Sequence, residues 1–121
     1  MANDLMMTEL VEVLEKAETE AHKASMRYLN DVLKGKDSFP CGFAWVNITG
    51  YKGTKITGNT KVGKLLKLAG VDQNYGDRKF QLWMPGRSGC QNVDLAVAGC
   101  QGASKVLEAA GFEVDYGSRW D

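Results

Sequence analysis

The stretch from Trp83 to Asp94 is the part of this chain best equipped to hold an anion. It runs from an apolar segment through Pro85, Gly86, Arg87, Ser88, Gly89, Cys90, Gln91 and Asn92 into a helical pattern. Glycines there let backbone N–H groups converge, a helix start adds partial positive charge, and Arg87, Ser88, Gln91 and Asn92 add charged and neutral donors. Trp83, with Trp45 or Trp120, offers a flat surface on which a base could stack. A plain strand-to-helix turn would need the same glycines for geometry alone. Arg119, in the closing Tyr116-Gly117-Ser118-Arg119-Trp120-Asp121, is the second candidate anion contact, with an ion pair to Asp94 or Asp115 as its alternative. Lys52 and Lys55, in a glycine- and threonine-rich stretch, are placed to assist.

Other chemistry fits the residues less well. Gly58-Asn59-Thr60-Lys61-Val62-Gly63-Lys64-Leu65 follows the phosphate-loop pattern G-x-x-x-x-G-K-S/T for seven positions, but Leu65 stands where the magnesium-binding hydroxyl belongs. The preceding Tyr51 to Thr57 is polar and glycine-containing rather than a buried strand, so the match reads as coincidence. Cys41, Cys90 and Cys100 form no C-x-x-C pair, and their odd number makes a poor disulfide framework. His22 is the one imidazole, set among Glu18, Lys23 and Ala24, so neither a zinc site nor a base for a cysteine nucleophile is expected. The expectation is a protein without cofactor, metal or catalytic residues.

The elements that must position these residues follow from periodicity. Met7, Leu10, Leu14, Ala17, Ala21, Ala24 and Tyr28 recur at spacings of three and four, which predicts a long amphipathic helix over residues 5–34. Acids crowd its first half and bases its second, complementing the helix dipole, and Gly35 is a natural stop. Thirty residues of helix span about 45 Å, longer than the roughly 35 Å diameter of a compact chain of this size. Either the helix bends or frays, or the extra length packs on another copy through that stripe, and a homo-oligomer is the expectation. Phe43 to Ile48, Phe80 to Met84 and Phe112 to Tyr116 read as strands, with Thr49 to Asn59 as a hairpin tip or loop. Thr60 to Ala69 makes a short helix closed by Gly70, and a third helix capped by Asn92 or Asp94 ends at Gly111. Ala98, Gly99, Gly102, Ala103 and Ala110 make that helix suited to close packing, with the alanines of the first helix as partner, within one chain or across a dimer. The fold class is therefore α+β in a single domain of 121 residues: a long N-terminal helix, then an α/β body over 40–121 with a small sheet of three or more strands and two further helices packed on it.

Net charge is zero but uneven: residues 1–37 hold eight acids and five bases, 38–71 five lysines and no acid, and 72–121 seven acids and five bases. A local basic segment in a neutral chain is a weak footprint for nucleic acid, which rewards phosphate neutralisation over a broad surface. No apolar run nears the roughly 20 residues of a membrane span, and Met1-Ala2-Asn3-Asp4 lacks the pattern of a secretory signal, so a cytoplasmic protein is expected.

Three spaced motifs carry a resemblance. Pro40-Cys41-Gly42-Phe43-Ala44-Trp45-Val46, the Trp83 to Pro85 segment followed by Gln91-Asn92-Val93-Asp94, and Ser118-Arg119-Trp120-Asp121 together resemble small uncharacterised proteins of tailed bacteriophages. The resemblance covers residues 40–121 and leaves out the leading helix. It implies a phage accessory protein acting in the host cytoplasm, and it brings no established activity or site with it. The functional expectation is a non-enzymatic protein binding a phosphate-bearing ligand such as a nucleotide, used to counter host defence. Two alternatives are an inhibitor of a host protein or virion component acting through a protein interface, and a weak nucleic-acid binder using the lysines of residues 52–67.

Overall fold

A computed structural model describes residues 5–31, 42–83, 85 and 93–120. Its architecture is α+β. The first helix, α1 (Met7–Asp31), is followed by β1 (Gly42–Tyr51), β2 (Thr54–Lys55), α2 (Lys61–Leu68), β3 (Asp72–Gln73), β4 (Phe80–Trp83), α3 (Val93–Ala109) and β5 (Phe112–Trp120).

The sheet is antiparallel and built around β1. On one side β1 pairs with β5 along its whole length, from Gly42↔Trp120 to Tyr51↔Phe112. On the other side it pairs with β4 from Trp45↔Trp83 to Ile48↔Phe80, and beyond that with β2 at Gly50↔Lys55 and Tyr51↔Thr54. The short β3 flanks β4 at Asp72↔Gln81 and Gln73↔Phe80.

Both long strands exceed their sequence-based limits. β1 continues through the expected loop to Tyr51, because a register shift between Ile48 and Gly50 lets Thr49 bulge while its hydroxyl donates to the Glu113 carbonyl at 3.1 Å. Gly50 suits this step: a Cβ there would lie 2.9 Å from the Glu113 carboxylate. The chain then reverses through Lys52 (φ 47°) and Gly53 (φ 83°), two successive positive φ values that match the twist of a tight hairpin. β5 runs past Tyr116 to Trp120, with Gly117 within the strand instead of ending it.

Alternation along β1 divides the sheet into two faces. Ala44, Val46 and Ile48 point inward and are essentially fully buried, with Phe80 of β4 and Phe112 of β5 beside them. They meet Ala96, Cys100, Ala103 and Leu107 of α3, Leu10 and Ala17 of α1, and Val62 and Leu66 of α2 in one core. Each fully buried Leu, Ile or Phe in it contributes about 1.5–3 kcal/mol of transfer free energy.

The alanine stripe of α1 is used inside the chain. Leu10, Ala17 and Ala21 are wholly buried, and Met7 and Leu14 pack against the same core. Ala24 and Tyr28 are half-buried. α3 lies antiparallel to α1: the Ser25 hydroxyl donates to the Leu95 carbonyl at 3.0 Å, while Gly102 sits against Glu20, Ala21 and Ala24. Of the residues expected at an oligomer interface, this corrects Leu10, Ala17 and Ala21, which are buried within one chain, while Met7, Leu14, Ala24 and Tyr28 keep part of their surface. Small side chains let the two helices of one chain approach closely, and that approach takes up the centre of the stripe. The overhang argument weakens too, since 25 residues of helix span only about 37 Å. Residues 32–34 of the expected helix lie outside the described ones.

The phosphate-loop lookalike is the N-terminal cap of α2. The Thr60 hydroxyl accepts from the Gly63 amide at 3.1 Å and donates to the Thr57 carbonyl at 2.8 Å, so the helix start is satisfied by its own threonine. Gly63 is required because the Thr57 carbonyl occupies the place of a Cβ. Among the described residues, no helix is long and apolar enough to cross a membrane.

Candidate functional site

Away from the helices, the sheet presents a second face whose residues form rows across three strands. Register sets Arg119 opposite Phe43, Gly117 opposite Trp45 opposite Trp83, and Asp115 opposite Asn47 opposite Gln81. An aromatic ladder with a cation at one end therefore abuts a polar row at the other.

The aromatic rows are ordered by mutual contact. Trp45 and Trp83 lie nearly parallel, 6° between planes with centroids 5.5 Å apart, and Phe43 stacks on Trp83 at 5.6 Å and 29°. Such offset stacks add about 0.5–1.5 kcal/mol beyond burial. Gly117 makes room for Trp45: a Cβ on it would lie 2.9 Å from Cζ2 of the indole. The Arg119 guanidinium stands 5.6 Å from the Phe43 centroid, a cation–π distance that leaves its N–H donors available.

Phe43 and Trp45 both approach Trp83 from the β1 side. On the opposite side β3 pairs only with Gln81 and Phe80, so no described strand flanks Trp83 there, and the residue is 46% exposed. A cavity of about 300 Å³ adjoins it at this sheet edge, lined by Leu14, Glu15 and Glu18 of α1, Val71 and Asp72, and Pro85. Among the described residues, its lining holds three acids, Glu15, Glu18 and Asp72, and no base. The guanidinium on the outer face beside these rings is that of Arg119.

In the polar row, Gln81 Nε2 donates to Asn47 Oδ1 at 3.0 Å, and Asn47 Nδ2 donates to Asp115 Oδ1 at 2.6 Å. Asn47 is buried, and these two bonds satisfy its amide across three strands. Asp115 is thus engaged by Asn47. Arg119, four residues and about 13 Å further along β5, is set over Phe43 instead, which decides against the Arg119–Asp115 ion pair.

Of the expected site residues, Trp83 and Arg119 come onto one face. Arg87, Ser88, Gln91 and Asn92 lie outside the described residues. Lys52 and Lys55 are corrected: Lys55 pairs with Gly50, and Lys52 sits at the hairpin tip with its ammonium 5.4 Å from the Tyr51 centroid. Gly50 and Tyr51 lie five and six residues beyond Trp45, about 17–20 Å along the strand, so neither lysine joins the cluster. Phe43 was not expected in the site, although its alternation with Trp45 across Ala44 is the pattern that places both rings on one face.

A larger groove of about 570 Å³ follows the α1–α3 seam over Ala24, Ala98, Gly102 and Ala109, and its rim mixes Lys16, Arg27 and Lys105 with Glu20 and Asp31. Glu20 contacts Lys23 at 3.6 Å. The groove follows from the small residues that bring the helices together. Among the described residues, no group of three or more His, Cys, Asp or Glu side chains could hold a metal ion. Cys100 is buried in the core, and that burial pushes its thiol from 9.0 to about 12, far from a reactive thiolate.

The chain matches no protein-family model, no curated protein and no solved structure.

Proposed function

We propose that the protein is a non-enzymatic binder of a planar, phosphate-bearing ligand, a nucleotide, on the open face of its sheet. The observation that carries this reading is the half-exposed Trp83 ring, held rigid by Trp45 and Phe43, with the Arg119 guanidinium on the same face. Held rings lose little entropy when a base stacks on them, and each base–aromatic stack is worth about 1–3 kcal/mol. From β4 to β5 is two strand spacings, about 10 Å, the scale of a nucleotide from base to phosphate. With the bacteriophage resemblance, this reading makes the chain an accessory protein that sequesters a nucleotide in the host cytoplasm.

The test is a titration of mono-, di- and cyclic nucleotides followed by tryptophan fluorescence and thermal shift. Binding should quench the indoles and raise the melting temperature, and Trp83→Ala and Arg119→Ala should each weaken it about tenfold or more. No quenching and no shift with any nucleotide at millimolar concentration sinks the proposal. A protein interface with a host factor is the second reading, favoured because tryptophan and arginine on an exposed face are the residue types of binding hot spots. Capture of one host protein by the parent, lost in Trp83→Ala, would support it.

A further inference from the structure

The two edges of the sheet are unlike. At one edge β3 is two residues long, too short to template another strand. At the other, β5 runs for nine residues and, among the described residues, pairs with β1 on one side only. Natural edge strands are usually protected by proline, by charged side chains, lysine above all, by a bulge, by brevity or by a covering element. Phe112-Glu113-Val114-Asp115-Tyr116-Gly117-Ser118-Arg119-Trp120 contains no proline and no lysine, and the register shift in this pair lies between Ile48 and Gly50 of β1.

The charges that this edge does carry are self-complementary in one register. Antiparallel pairing of β5 with a second β5 about a two-fold axis through Tyr116 overlaps all nine residues. Glu113, whose carboxylate accepts from the Gly53 amide at 3.1 Å within one chain, then lies in register opposite the partner's Arg119, and Arg119 opposite the partner's Glu113, both on the outer face. Oppositely charged residues directly across a sheet are favourable, whereas like charges there are destabilising. An axis through Asp115 would instead set two aspartates against each other. On the inner face, the residue at the axis is Tyr116, 44% exposed in one chain, with its hydroxyl accepting from Gln101 Nε2 at 3.1 Å.

We infer that the edge of β5 is an interface between two copies of this chain, joined into a continuous ten-stranded sheet with Tyr116 on the two-fold axis. The occupant is a second copy because both the charge pairs and the half-exposed tyrosine are matched by the strand itself, as an isologous contact demands. An axis perpendicular to the sheet keeps the helices of both copies on one side and sets the two aromatic faces next to each other on the other. Arg119 offers five N–H donors, so one edge of its guanidinium can meet the partner's Glu113 while others face a ligand.

The experiment combines mass with cross-linking. By light scattering at tens of micromolar, the parent should have about twice the 13.3 kDa chain mass. In a Cys41→Ser, Cys90→Ser background, Tyr116→Cys should oxidise to a covalent dimer, because residues directly opposite in an antiparallel pair have Cα atoms about 4.5–5.5 Å apart, within disulfide reach. Ser118→Cys should not, because the two introduced thiols would be offset by four residues, about 13 Å. Arg119→Glu should weaken the dimer roughly tenfold, and adding Glu113→Arg should restore it. If Tyr116→Cys fails to fold by circular dichroism, the charge-swap pair decides alone. A monomeric parent, cross-linking at Ser118→Cys in place of Tyr116→Cys, or no restoration by the double variant would each overturn the inference.

Discussion

Gly102 of α3 is pressed against Ala24 of α1 so closely that a Cβ at Gly102 would lie 2.9 Å from the Ala24 Cβ and 2.7 Å from the Glu20 carbonyl oxygen. Alanine is the better helix former by about 1 kcal/mol, yet Gly102→Ala must push the two helices apart, and overpacking costs about 1–3 kcal/mol. The expected outcome is a net loss of stability of about 1 kcal/mol or more in urea denaturation. A gain equal to the helix propensity alone would show that the helices do not meet as described.

Gly63 tests the meaning of the phosphate-loop lookalike. Because the Thr57 carbonyl fills the position of its Cβ, Gly63→Ala should destabilise the fold by about 2 kcal/mol or more. Lys64 is exposed, and Lys64→Ala should leave stability within about 0.5 kcal/mol. In nucleotide titrations, Lys64→Ala should bind as the parent does. Selective loss of binding in that variant would restore the loop as a phosphate site.

On the sheet's outer face, Gly117→Ala should move the Trp45 ring rather than unfold the chain. The new methyl would stand 2.9–3.2 Å from the indole, which is half-buried and has room to give by a few tenths of an ångström. Stability should change by about 1 kcal/mol or less, while the near-ultraviolet circular dichroism of the stacked tryptophans changes and nucleotide affinity falls. Unchanged spectra together with unchanged affinity would separate Trp45 from the site.

Cys100 makes a pH prediction. Burial raises its folded-state value from 9.0 to about 12, so between those values the unfolded chain releases a proton that the folded chain retains. The stabilisation is complete below about pH 9 and is lost as pH rises toward 12, at up to about 1.4 kcal/mol per pH unit. Chemical denaturation from pH 8 to 10.5 should show stability falling more steeply in the parent than in Cys100→Ala. Equal slopes would contradict the burial, as would rapid reaction of the folded Cys100 with a thiol reagent at pH 8.

The local part of this architecture was legible in the chain. The spacing of Leu10, Ala17 and Ala21, the threonine cap and closing glycine of α2, and the alternation of Phe43, Trp45 and Asn47 against Ala44, Val46 and Ile48 all report near-neighbour geometry. A helix or strand repeats its faces every few residues, so α1, α2, α3 and the three longer strands could be placed from residue order. The two-residue β3 could not, because so short a strand has no period to detect and exists only through its pairing with β4.

What the tertiary structure decided is how those faces meet. An alanine stripe has the same periodicity whether it packs within one chain or between two, and only the seating of Gly102 on Ala21 and Ala24 chooses the first. Trp83 and Arg119 are separated by the whole of α3, and register with β1 brings them to one face. Lys52 and Lys55, much nearer to Trp45 in sequence, are carried about 17–20 Å away along an extended strand. Residue order determines which side a side chain takes along its own element. Strand pairing and helix docking determine its neighbours, because they join segments far apart in the chain through contacts that no local period records.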